Sequence, residues 1–385
     1  MTAWRVPLAD VTVPEEDIAR VADVYRSGWL SMGPRTEEFE AAFAEYTGAR
    51  HALAVANCTA GLHLMCLSVG LGPGDEVVVP SLTFVATVNA IAYTGATPVF
   101  ADVAALDEPW LAAAAVELAI SPRTKAVMTM AYGGHPGEIE AIRAIARGLT
   151  LLEDAAHAAG ARSHGSHIGT FGAAGAFSFF SNKNLAVGEG GAVVTDDDEL
   201  ARRMRLWRSH GMTTLTWDRH RGHASGYDVS ALGFNYRIDE PRAALATSRL
   251  ARLTPENARR HRLDRRYREL LIGIEGLVPT AAPPEGEGDV PSHHLFTVVV
   301  DEGVDREEVR RLLAERGVQT SVHYPPVHRS SIYAEGAPDL PLTEAYSARA
   351  ITLPMFAGMT DDQQEMVVEA LRDALRAQPV GARIR

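Results

Sequence analysis

Between His51 and Asp154, short apolar runs alternate with longer stretches in which apolar side chains return at helical spacing. The pattern predicts strands at His51–Ala56, Glu76–Val79, Pro98–Asp102, Ala126–Ala131 and Thr150–Asp154, separated by helices at Ala60–Val69, Leu82–Tyr93, Leu111–Leu118 and Glu138–Ala146. Such alternation predicts a mainly parallel sheet covered on both faces by helices, with ligands at the carboxyl ends of the strands. Upstream, a helix at Pro14–Tyr25 leads into the loop Ser27–Pro34, whose glycines and Trp29 either cap a pocket or turn a corner. Thr36 is expected to cap a second helix, with Phe39, Phe43 and Tyr46 on one face until Gly48 ends it.

Downstream, Ala176–Phe180 reads as a buried strand that Gly188, Gly190 and Gly191 reverse into a second strand, Ala192–Thr195. An amphipathic helix at Asp198–Trp207, a long polar loop reaching Tyr227 and a turn at Gly233–Ile238 follow. Arginines from Arg249 to Arg268 are interleaved with leucines, which predicts a helix with a solvated basic face. The proline-rich Pro279–Asp289 then connects to a smaller α/β unit: strand Leu295–Val300, helix Arg306–Arg316, strand Val318–Tyr324 and closing helix Asp361–Ala377. The expected architecture is α/β, with a large domain over residues 1–250 that includes an N-terminal arm, and a small C-terminal domain over residues 251–385 that includes the connecting helix.

Composition narrows the function classes. A chain of 385 residues with 46% hydrophobic content can bury the core of two such domains. Its formal net charge of -12 disfavours sequence-independent nucleic-acid binding, which needs clustered cations. The two cysteines, Cys58 and Cys66, match no zinc spacing and read as small core residues in a reducing compartment, and no metal is expected. The polar N-terminus and the lack of a membrane-length apolar stretch lead us to expect a cytoplasmic protein with no membrane partner. No G-x-G-x-x-G opens a strand–helix turn, which sets aside a nicotinamide dehydrogenase.

The candidate chemistry lies at strand ends. Lys183 sits in the turn after Ala176–Phe180, where partial desolvation would favour a neutral amine able to form a Schiff base with an aldehyde. Asn57-Cys58-Thr59-Ala60-Gly61 joins a strand to a helix N-terminus, which is either an anion site or an ordinary cap. Phe84 either stacks on a planar ring or fills the core, and Asp154 is either a structural cap or the partner of a buried cation such as a pyridinium.

Ser178, Lys183 and Gly188-Glu189-Gly190-Gly191, with those companions in order, resemble the cofactor-lysine signature of the DegT/StrS sugar aminotransferases. These are fold-type I enzymes that use pyridoxal 5'-phosphate (PLP), and the resemblance covers nearly the whole chain. It implies that Lys183 holds the cofactor, Asp154 pairs with its ring nitrogen and Phe84 lies over the ring. Thr59, Ala60 and Ser178 would bind its phosphate, and His157 would approach its phenolic oxygen. Asn235, in Gly233–Ile238, would cross a homodimer interface to the partner's phosphate, so that active sites are shared. His328, Tyr324, His323 and Ser31 would meet the substrate, with a structural role equally open for His323. A dehydratase branch carries histidine in place of the lysine that this chain keeps. Relatives often have histidine where Phe180 stands. The implied reaction moves an amino group from an amino acid, expected to be L-glutamate, to a nucleotide-linked keto-sugar for secondary-metabolite or surface-glycan biosynthesis. A keto-cyclitol aminotransferase would have the same catalytic parts, and a PLP-binding regulatory protein would share the cofactor site.

Overall fold

The computed structural model describes residues 4–214, 217, 220–222, 226–282 and 288–378. Its main sheet and the strands that follow run, in chain order, β1 (His51–Val55), β2 (Glu76–Pro80), β3 (Thr97–Ala101), β4 (Thr124–Met130), β5 (Thr150–Asp154), the short pair β6 (Arg162–Ser163) and β7 (Ser166–His167), β8 (Ala174–Ser178) and β9 (Gly191–Thr195). Seven of these form one sheet in the order β1-β9-β8-β5-β4-β2-β3. The β3–β2–β4–β5–β8 pairings are parallel, and β9 runs antiparallel to both β8 and β1. The expected mainly parallel α/β sheet is therefore present. Its central strands are apolar on both faces because helices cover both: Val78 and Val127 pack into one apolar cluster, and Val77, Val79 and Met128 into the other.

Several predicted elements shift. The second helix begins at Pro34, so Thr36 is not its cap; the buried carboxylate of Glu240 accepts from the backbone N–H groups of Gly33, Arg35 and Thr36 and from the Thr36 hydroxyl. A distant acid thus satisfies the orphan amides of that helix and ties the Ser27–Pro34 loop to the long helix Glu240–Leu271. The helix predicted from Leu82 starts at Val85. The strand predicted at Ala176–Phe180 is β8, Ala174–Ser178, which places Phe179 to Gly190 in the turn region.

The long helix runs through position 250 without a break. Its Ala243, Ala246, Leu250 and Leu253 pack into the large core, and Leu263, Tyr267 and Leu271 into the small one. Its basic face is not wholly solvated: Arg249 and Arg260 are buried, donating to the carbonyls of Thr12 and Met355. The small unit has a three-stranded sheet of β10 (Leu277–Pro279), β11 (Phe296–Val300) and β12 (Ala350–Leu353) with helices Arg306–Glu315 and Asp361–Arg376. The predicted strand Val318–Tyr324 is absent, because that segment makes only single pairings, Val318 with Val6 and Ser321 with Thr352. Val6 thereby joins the small core, so the N-terminal arm packs there as well. The proline-rich connector and the polar loop before Tyr227 lie partly outside the described residues. Among the described residues, no helix is long and apolar enough to cross a membrane.

Candidate active site

Two glycines shape the turn that carries Lys183. Gly188 holds φ +94°, which side-chain-bearing residues rarely adopt, and a Cβ on Gly191 would lie 2.7 Å from both the Cys58 amide nitrogen and the Phe177 carbonyl oxygen. Gly191 therefore lets β9 press against the first turn of the helix Cys58–Ser68. Phe179 N–H donates to Gly190 O at 2.9 Å and Lys183 N–H to Phe180 O at 2.9 Å, which fixes the lysine at the mouth of the sheet.

The environment of Lys183 is more polar than the sequence suggested. Asp154, Cys58, His157, His294 and His323 all act on it or are acted on by it. Burial lowers the Lys183 amine to about 8, against the opposing pull of Asp154. A sizeable fraction is therefore neutral near pH 8, as carbonyl attack requires.

Asp154 is buried at the end of β5, and Thr87 Oγ1 donates to its Oδ2 at 2.6 Å while Ala156 N–H donates to Oδ1 at 3.0 Å. Burial raises its carboxyl above the ordinary range, with Thr87, Ala156 and Lys183 opposing that rise. His157 accepts from Gly133 N–H through Nδ1 at 3.2 Å, so Nε2 carries the proton and donates to the Tyr324 hydroxyl at 2.9 Å. Burial, then Lys183 and His323, push its imidazolium well below the usual range, leaving a neutral ring.

Asn57 caps the helix Cys58–Ser68 by accepting from Ala60 N–H at 2.9 Å. Of the expected phosphate pair, Ala60 already spends its amide on this cap, so an anion here would meet the Thr59 hydroxyl. Ser178 is buried at the end of β8. Phe84 is 56% exposed, which leaves a ring face available, and its centroid is 6.0 Å from that of Tyr324. Both line a cavity of about 380 Å³ with Thr83, Pro325 and Pro326.

The remaining expected residues separate. His323 is buried, bonds Thr352 Oγ1 through Nδ1 at 2.9 Å and is lowered to about 4 by burial and by Lys183, so it belongs to the lysine's surroundings. His328 does not face outward. It is fully buried, with Nδ1 against Ser81 Oγ and Nε2 3.1 Å from Glu344, so both nitrogens are occupied by protein. Ser31 and Asn235 are exposed on this single chain. Cys58 and Cys66 are buried free thiols. A larger cavity of about 760 Å³, beside the long helix near Arg162 and His261, contains none of the expected site residues. His294 was missed in the sequence. It is 4% exposed, and its Nε2 lies 3.4 Å from Lys183 Nζ. The available signal was a histidine pair at the mouth of a buried strand.

The residues present fit PLP. A partly neutral lysine suits its aldehyde, a buried carboxylate lacking a hydrogen-bonded cation suits its protonated ring nitrogen, and a helix N-terminus held close by the side-chain-free Gly191 suits its phosphate.

Comparison with known proteins agrees. Residues 12–372 match the DegT/DnrJ/EryC1/StrS aminotransferase family. The chain is 40% identical over 384 residues to the spore coat polysaccharide biosynthesis protein SpsC of Bacillus subtilis (strain 168), covering 96% of this chain and 97% of that protein. Among solved structures, the aminotransferase TlmJ of Streptoalloteichus hindustanus superposes with TM-score 0.90 at 36% identity, covering 97% of this chain and 99% of TlmJ. DesV of S. venezuelae gives TM-score 0.88 at 39% identity, covering 96% and 98% respectively. The chain therefore belongs to the DegT/DnrJ/EryC1/StrS family and is a PLP-dependent sugar aminotransferase.

Proposed function

We propose that the enzyme transfers an amino group from L-glutamate to a nucleotide-linked keto-sugar, acting as a cytoplasmic homodimer with shared active sites. The observation that carries the site assignment is a depressed lysine amine in the turn after β8, Lys183, beside a buried carboxylate with no hydrogen-bonded cation among the described residues at the end of the neighbouring β5, Asp154. PLP, when bound, supplies an aldehyde that carries the amino group and a ring that accepts the electron pair left when a donor's Cα–H bond breaks. Lys183 would hold the cofactor, and its amine would move the proton at the donor's α-carbon. Asp154 keeps the ring nitrogen protonated, and Thr87 in turn holds Asp154 in place. The exposed ring of Phe84 would help hold the cofactor. The hydroxyls of Thr59 and Ser178 take the phosphate, joined by Asn235 from the second protomer. Tyr324, oriented by His157, and Ser31 stand toward the acceptor sugar.

The supporting experiment supplies purified enzyme with PLP and glutamate, then offers nucleotide-linked 3-keto and 4-keto sugars beside a keto-cyclitol. Aminated nucleotide sugar is the expected product. Turnover of the cyclitol alone would overturn the acceptor assignment, and failure with glutamate but success with another amino acid would overturn the donor. Sedimentation should show a dimer, and mixing Lys183→Ala with Asn235→Ala protomers tests whether sites are shared.

A further inference from the structure

The amine of Lys183 lies at the end of a chain of hydrogen bonds whose direction the backbone fixes. Asn257 Nδ2 donates to the carbonyl of Ala159 at 2.9 Å, so Asn257 Oδ1 is an acceptor. Asn184 Nδ2 donates to that oxygen and to the carbonyl of Ser292, both at 2.8 Å. Carbonyl oxygens can only accept, so the Asn184 amide has one allowed orientation, with Oδ1 turned to His294 Nδ1 at 3.1 Å. His294 must then carry its proton on Nδ1, and Nε2 presents a lone pair to Lys183 Nζ at 3.4 Å. Both Asn184 and His294 are buried, and the His294 ring is braced by the His157 ring at a centroid distance of 4.4 Å.

We propose that His294 is a further functional residue of this site, a neutral acceptor that orients the Lys183 amine for reaction with a carbonyl, and that Asn184 is the positioning residue that selects its tautomer. This rests on the reading of Lys183 as the cofactor-holding amine. The other groups facing Lys183 leave this role open to His294. Asp154 accepts from Thr87 and Ala156 and keeps its remaining capacity for the cofactor's ring nitrogen, His157 spends its ring on Gly133 and Tyr324, His323 bonds Thr352, and burial raises the Cys58 thiol well above its usual range and so keeps it protonated. His294 is itself kept neutral first by burial, then by the charges of Lys183 and Arg260. An ammonium donates more strongly than an amine, so a neutral acceptor also favours the charged lysine. Its removal should move the lysine's titration to lower pH while worsening its aim.

The test measures PLP capture by the cofactor-free protein as growth of a visible absorbance band across a pH series. It uses wild type, Lys183→Ala, His294→Phe and His294→Gln, with circular dichroism confirming folding. On the high-pH plateau the amine is already neutral, so the rate reads orientation alone. His294→Phe should be slower there by roughly tenfold to a hundredfold, with its midpoint moved to lower pH. His294→Gln, which can place an amide oxygen near the position of Nε2, should recover most of the rate. A folded His294→Phe with wild-type plateau and midpoint overturns the inference while leaving Lys183 as the capturing amine. A wild type without a Lys183-dependent band removes the underlying reading and the inference together. Should the variants fail to fold, histidine-labelled wild-type protein decides by ¹⁵N NMR: a proton on Nδ1 of His294 supports the relay, and one on Nε2 overturns it.

Discussion

Glu153 and Asp154 are consecutive acids at the end of one buried strand, and their side chains meet opposite fates. Glu153 is clasped by a loop folded for it: Gly169 N–H donates to Oε2 at 2.6 Å, and Phe171 and Gly172 N–H donate to Oε1 at 2.7 and 2.8 Å. Gly169 reaches this geometry with φ +100°, and a Cβ on Gly172 would strike the Leu151 carbonyl at 2.3 Å. Asp154 receives one hydroxyl and one amide, and its remaining stabilisation is the field of Lys183. Both are buried carboxylates raised by desolvation. The difference shows that burial of a charge does not by itself mark function. Glu153 is satisfied by the backbone of the 169–172 loop and is structural, whereas Asp154 keeps acceptor capacity that no cationic side chain among the described residues hydrogen-bonds.

Breaking the comparison on the Asp154 side should have the largest effect. With Asp154 as the proposed partner of the cofactor's ring nitrogen, Asp154→Asn breaks a buried charge pair, which typically costs roughly 3 to 5 kcal/mol. We expect transamination to fall by about two to four orders of magnitude with folding retained, as measured by initial rates and thermal melting. On the other side, Glu153→Gln leaves one of the three amide donors facing an amide nitrogen. The expected loss is about 1 to 3 kcal/mol of stability, read by denaturant unfolding, with activity per folded molecule unchanged. A large activity loss with unchanged stability would reverse the two assignments.

The pH dependence of Glu153 sharpens the contrast. Its folded-state carboxyl is pushed up to about 7 by burial, against 4.5 in the unfolded chain. The folded state therefore binds the extra proton between these values, and the stabilisation from it is full below 4.5 and lost as pH rises to about 7. The stability gap between wild type and Glu153→Gln should narrow over that window. The smallest effect is expected from Thr87→Val, which removes the hydroxyl that orients Asp154. It should lower kcat by roughly tenfold and leave KM for the keto-sugar unchanged.

The large sheet was legible because strands buried on both faces are written as unbroken apolar runs, as in Val77–Val79 and Leu151–Leu152. Lys183 was legible through its glycines, which record a close approach that side chains would block. The orientation of the 323–328 segment was not. The resemblance turned His328 toward the substrate, yet its burial is decided by Ser81 and Glu344, partners that no local pattern announces. His294 escaped notice for the same reason, since its role depends on Asn184, which is distant in sequence. β12 is four residues long and follows a helix directly, too short to set up a period of its own.

The central claim is that the Lys183 amine, brought to about 8 by burial, is the group that holds PLP and releases it to an amino donor. The most direct measurement is the absorbance spectrum of wild type and Lys183→Ala with PLP across pH 6 to 10, before and after adding glutamate. The account predicts a visible band in wild type alone, forming faster as pH rises through about 8 and converted by glutamate to a shorter-wavelength species. An equal band in Lys183→Ala, or a wild-type band that no amino donor alters, would contradict it.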